Sequence, residues 1–201
     1  MSIFSKLLKN KAVKNAGWLI SGRIAQALIG MLIGILTARY LGPSNYGIIN
    51  YAAAYIAFFN SFCTLGTTSL LIKEFTDHPE NEGQIIGTTL VMRSISSVLS
   101  ATVIVLISLV LDRDDPITIL VVALSSIGVI FHVFETLVYW FHYKMASKIA
   151  AIVSTIAYVI VAIYRVILLV TQSDVYMFAL ATTLDYVCVA VILLFAYKKY
   201  K

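Results

Sequence analysis

Charge is scarce in this 201-residue sequence: only 12% of its residues are Asp, Glu, Lys or Arg, against 60% hydrophobic, and the mean hydropathy is +0.92. So little polar material cannot cover a soluble globule of this size, which excludes a soluble catalytic domain. Cysteine is scarcer still. Cys63 and Cys188 both fall inside apolar stretches, where packing is the expected role and a disulfide framework is not. The motifs of membrane chemistry are missing too. There is no H-E-x-x-H beside the H-x-x-E of His132 and Glu135, no G-x-S-x-G, and no arginine at every third position of a span. Zinc hydrolysis, serine hydrolysis and voltage sensing therefore have no support, and no catalytic residue, metal or cofactor is expected.

What the sequence does have is apolar length. A bilayer-crossing helix needs about 20 residues, and six runs fit: 15–40, 46–72, 87–111, 117–143, 147–170 and 175–197. The expected fold is all-α, a polytopic membrane protein with six transmembrane helices in one lobe over 15–197. An interfacial amphipathic segment precedes it over 1–14, where Ile3, Phe4, Leu7 and Leu8 oppose Lys6, Lys9 and Lys11, and a basic end follows over 198–201. The first run is too long for a signal-peptide core, so the N-terminus is expected to stay attached. Gly42-Pro43-Ser44-Asn45 reads as a hairpin turn and Asp115-Pro116 as a helix start, while 73–86 reads as a solvated connector.

The net charge of +5 is not spread as a nucleic-acid face would be. Ten lysines (Lys6, Lys9, Lys11, Lys14, Lys73, Lys144, Lys148, Lys198, Lys199 and Lys201) fall on one side of the expected membrane and only Arg39 and Arg113 on the other. By the positive-inside rule both termini are expected in the cytoplasm.

Three arginines remain within the runs, Arg23, Arg93 and Arg165, together with His132, Glu135 and Asp185. An ionisable group at bilayer depth costs at least about 2 to 3 kcal/mol unless it faces protein or water, so each is expected in a polar interior. Residues three, four and seven apart share a helix face. On that spacing Arg23 aligns with Gln26, Gly30, Gly34 and Thr37. His132 and Glu135 fall on an unbroken stripe from Ser125 through Gly128 to Tyr139 and His142, and Ser154, Tyr158 and Arg165 form another. Small and hydroxyl residues also serve simply to pack helices, as Gly30 and Gly34 do at small-xxx-small spacing, and buried charges also pair structurally. Arg23, Arg93 and Glu135 lie at similar depth, about 9 to 12 Å from one helix end, so a network among them is expected.

The stretch 41–74 carries Leu41-Gly42-Pro43, Tyr46-Gly47, Tyr51-Ala52, Phe58-Phe59, Leu65-Gly66 and Lys73-Glu74, and a later one carries Val133-Phe134-Glu135, Tyr139-Trp140-Phe141 and Ser147-Lys148. In these residues and their order the chain resembles bacterial polysaccharide (O-antigen and capsule) flippases of the multidrug/oligosaccharidyl-lipid/polysaccharide exporter superfamily, over its N-terminal lobe. The resemblance implies a transporter moving polyprenyl-pyrophosphate-linked oligosaccharide across the bacterial inner membrane, through a hydrophilic cavity between two lobes of about six helices. The sequence stops at Lys201 after one such lobe, so the expectation is either a truncated frame or a need for a partner, a C-terminal lobe or a second copy. Arg23, Gln26, Arg93, Arg165, His132, Glu135 and Asp185 are then the expected substrate-binding residues, the arginines facing the pyrophosphate with their planar fork. Two other readings stay open. One is an ion-coupled multidrug exporter of the same superfamily, with Glu135 or Asp185 as the ion site. The other is a non-transporting membrane scaffold.

Overall fold

The structure, a computed structural model, describes residues 11–64 and 66–200, and all regular structure among them is helical. The expected interfacial segment falls largely outside the described residues. The elements are α1 (Lys11–Thr64), α2 (Thr68–Asp77), a 3-10 turn (Pro79–Asn81), α3 (Glu82–Leu111), α4 (Pro116–Phe131), a second 3-10 turn (His132–Glu135), α5 (Thr136–Tyr143), α6 (Ser147–Val170) and α7 (Val175–Tyr200).

Among the described residues five stretches are long and apolar enough to cross a membrane, one fewer than the six expected. The difference lies in the first of them, Ile20–Asp77, whose 58 residues far exceed one crossing. It is divided at Gly42, whose φ of 73° and ψ of 174° are non-helical and open essentially to glycine alone, with Pro43 following. A Cβ on Gly34 would lie 3.6 Å from the Tyr46 hydroxyl. In a straight helix those twelve residues would span ~18 Å. The chain therefore folds back at Gly42 into two limbs, 11–41 and 43–64.

Two further expectations are corrected. The connector 73–86 is largely helical: after a turn at Gly66 (φ +62°), α2 buries Leu71 and Phe75 four residues apart and turns Lys73 and Glu74 outward. The fourth run is not one helix but is interrupted at His132–Glu135 by the 3-10 turn.

The first limb lies along α6, with Gly22 against Ala151 and Thr155 and Gly30 against Tyr158. This is close packing where small residues let backbones approach. The second limb contributes Ala52, Ile56 and Cys63 to a core shared with Ile104, Val121, Val122, Val129, Val175 and Ala179. A second core, formed by Phe75, Ile86, Leu137, Trp140, Phe141 and Leu193 among others, closes the end of the bundle that carries Lys144. There Glu82 accepts hydrogen bonds from Trp140 Nε1 (2.9 Å) and the Lys144 ammonium, joining α3 to α5. At the opposite end Asp115 caps α4 by accepting from the Ile117 and Thr118 amides (3.1 and 3.2 Å) and the Thr118 hydroxyl (2.6 Å). The Thr118 hydroxyl, more than the amides, holds the Asp115 carboxyl below its ordinary range, so the cap persists until the pH falls through that lowered value. Large apolar side chains such as Leu28, Leu32, Val91, Leu99, Ile163 and Val170 point outward, as the hydrocarbon core of a bilayer requires.

Candidate functional site

A cavity of about 630 Å³ opens between the first limb of α1, the second 3-10 turn with α5, α6 and α7. Its polar lining comes from each element in turn: Arg23 and Gln26 from α1, His132 and Glu135 from the turn, His142 from α5, Ser154 and Tyr158 from α6, and Asp185 and Tyr186 from α7. Phe131, Val138, Val189 and small residues including Gly22, Ala150 and Ala151 fill the remainder.

Local backbone form explains why these groups converge. The 3-10 turn has three residues per turn, so His132 and Glu135 eclipse one another, closer in line than the same spacing gives on one face of an α-helix. His132 Nε2 accordingly stands 3.2 Å from Glu135 Oε2, and the imidazole meets the Tyr186 ring edge-on at 5.5 Å. Tyr186 reaches this position because Gly128 has no side chain: a Cβ there would lie 2.7 Å from Tyr186 Cδ2 and 3.1 Å from the Thr183 Cα. The Tyr158 hydroxyl similarly occupies the space a Cβ of Gly30 would fill. Gln26 Nε2 donates to Thr155 Oγ1 at 3.4 Å, which fixes the amide beside the cavity. Arg23 is exposed and, among the described residues, makes no hydrogen bond or ion pair.

Of the seven residues expected to bind substrate, five line this cavity: Arg23, Gln26, His132, Glu135 and Asp185. Arg93 does not. It sits on the buried face of α3, 1% exposed, with Nη2 donating to Thr67 Oγ1 (2.9 Å) and Nη1 to Thr136 Oγ1 (3.3 Å). The expected contact of Arg93 with Glu135 is not formed either, since Glu135 pairs with His132. Arg165 is half-buried on α6 outside the lining. His142, Ser154 and Tyr158 were visible in the sequence as members of polar stripes. Tyr186 carried no such signal, because its place depends on a glycine in another helix.

Among the described residues the lining thus mixes one permanent cation, two carboxylates, two imidazoles and hydroxyls. Three arginines against two acids, the balance read from the sequence, becomes one against two in the cavity itself. Among the described residues no three His, Cys, Asp or Glu side chains converge as metal ligands. A smaller cavity of about 440 Å³ lies between α2 and α3, bordered by Thr67, Glu74, His78, Gln84 and Thr88.

Comparison with curated proteins and with solved structures gives no significant match. Residues 12–201 match the family described as polysaccharide biosynthesis protein, which covers nearly all of the sequence. With its long apolar helices and this coverage, the chain is a multi-pass membrane protein belonging to the polysaccharide biosynthesis protein family.

Proposed function

We propose that the chain forms one lobe of a flippase that moves polyprenyl-pyrophosphate-linked oligosaccharide from the cytoplasmic to the outer leaflet of a bacterial inner membrane, for O-antigen or capsule assembly. The observation that carries this reading is the polar cavity at Arg23, Gln26 and the His132–Glu135 turn inside an apolar bundle of this family. A pyrophosphate is a compact anion, and the Arg23 guanidinium offers it a permanent charge and a planar set of donors. Gln26, Asp185, Tyr158 and Tyr186 present the amide, carboxylate and hydroxyl groups that replace water around sugar hydroxyls, while the prenyl tail stays in lipid. A second lobe, either C-terminal or from a second copy, would enclose the cavity from its open side and supply alternating access.

The one-to-two balance of Arg23 against Glu135 and Asp185 favours a second reading, an ion-coupled exporter of cationic drugs. The two part company in a bacterium deleted for its own polysaccharide flippase. Expression of the chain together with its second lobe should restore surface glycan and leave resistance to lipophilic cations unchanged. Raised cation resistance without surface glycan would establish the exporter instead.

The orientation follows from the lysine-rich end and is tested separately. With Cys63 and Cys188 replaced, a cysteine at exposed Met145 should resist a membrane-impermeant maleimide in intact cells, and one at exposed Asp114 should react. The reverse pattern would invert the topology.

A further inference from the structure

Arg93 is the largest side chain among those fully enclosed in the described structure, and it is charged. Within ion-pair distance no described carboxylate meets it; its partners are two threonine hydroxyls and the face of Tyr139, whose centroid lies 5.6 Å from Cζ. Its Nε is buried without a partner. A buried charge held only by neutral groups is an unfavourable arrangement by itself, so the positions it joins carry the meaning.

Both threonines sit at interruptions of helix. Thr67 follows Gly66 in the turn between α1 and α2, and Thr136 is the first residue after the His132–Glu135 turn. Each hydroxyl donates to a carbonyl of its own interruption, Thr67 to Thr64 O at 2.7 Å and Thr136 to Val133 O at 2.8 Å, while accepting from the guanidinium. Breaks in a membrane helix leave backbone groups that must be satisfied within the protein; here the threonine hydroxyls cover the Thr64 and Val133 carbonyls, and one shared cation ties the two hydroxyls together. The guanidinium, with its separate donors held in one plane, serves two hydroxyls from different helices at once.

We infer that Arg93 is a positioning residue that locks the α1–α2 break to the His132–Glu135 turn, so that the cavity wall and that junction move together. The residue acts on the cavity through Thr136 and the turn, without touching what the cavity holds. This inference rests on the geometry of the two breaks and stands apart from the identity of the cargo.

Cys63 is a native reporter: it lies beside the α1–α2 break and is 2% exposed. In the full chain in lipid nanodiscs, with Cys188→Ser, N-ethylmaleimide should label Cys63 about tenfold faster in Arg93→Met and in Thr67→Val than in the parent, the size expected when a hydrogen bond to a charged group is lost. Arg93→Lys should fall between. Thr67→Ser, which keeps the hydroxyl, should label as the parent does. Thr136→Val should also accelerate Cys63, although its hydroxyl belongs to the other break, and that remote effect is what a residue merely filling space would not produce. A second reporter, Ala157→Cys on α6, which carries neither break, should keep its parent rate in every variant. Parent-rate labelling of Cys63 in Thr136→Val, or acceleration at positions 63 and 157 alike through general unfolding, would overturn the lock.

Discussion

Replacing Arg23 by alanine should weaken binding of a polyprenyl-pyrophosphate glycan by about a hundredfold, in line with the loss of charge-assisted hydrogen bonds to a phosphate in a partly desolvated site. Protein abundance and thermal stability should stay unchanged, because Arg23 is exposed and, among the described residues, makes no hydrogen bond or ion pair that holds the fold. Arg23→Lys keeps the charge but not the fork and should recover only part of the affinity. Arg93→Ala offers the contrast. It removes an enclosed guanidinium bonded to Thr67 and Thr136, so it should lower abundance, and any change in affinity should come through the His132–Glu135 turn and not from a lost contact with the cargo. Titrating both variants in nanodiscs against fluorescent lipid-linked glycan, with cell-surface expression measured in parallel, separates the two. Unchanged affinity in Arg23→Ala would remove the one arginine that lines the cavity among the described residues from the binding account.

The second large effect concerns a residue with no chemistry. Gly128 lies in α4 where a Cβ would stand 2.7 Å from the Tyr186 ring and 3.1 Å from the Thr183 Cα. The ring can rotate aside, but the α7 backbone cannot. Gly128→Ala should therefore destabilise the chain by about 1 to 3 kcal/mol, the usual range for overpacking. It should also weaken glycan binding, because Tyr186 forms a wall of the cavity and contacts His132. Adding Tyr186→Ala should restore part of the stability while leaving binding low, a non-additive result expected only for residues in contact. Thermal unfolding of the four proteins in one detergent measures the cycle. Additive effects would show that α4 and α7 do not meet as described.

Much of this architecture is written in local chemistry. Long apolar runs, the Gly42-Pro43 reversal and the Asp115-Pro116 helix start are each decided by a few adjacent residues and a solvent preference, so spans and turns could be read directly. The polar stripes likewise bring Arg23, Gln26, His132, Glu135 and Asp185 to one space. Arg93 shows where sequence position stops informing: it lies at an expected depth similar to that of Arg23 and Glu135, yet the side chain ends between two helix breaks, away from the cavity. Those breaks leave little trace in sequence. At His132–Glu135 no proline or glycine intervenes, and the change from α to 3-10 geometry follows from tertiary packing. Gly66 did offer a signal for the other break, and its meaning became clear only with Thr67 placed against Arg93. Tyr186 was hidden because its position is set by an absent side chain on α4.

The most direct test of the flippase reading is protection of the cavity by its proposed cargo. With both native cysteines replaced and Gln26→Cys as the single reactive position, the chain in nanodiscs should be shielded from maleimide by polyprenyl-pyrophosphate-linked oligosaccharide and not by tetraphenylphosphonium. Shielding by the lipophilic cation and none by the lipid-linked glycan would contradict the account and assign the cavity to a cationic cargo.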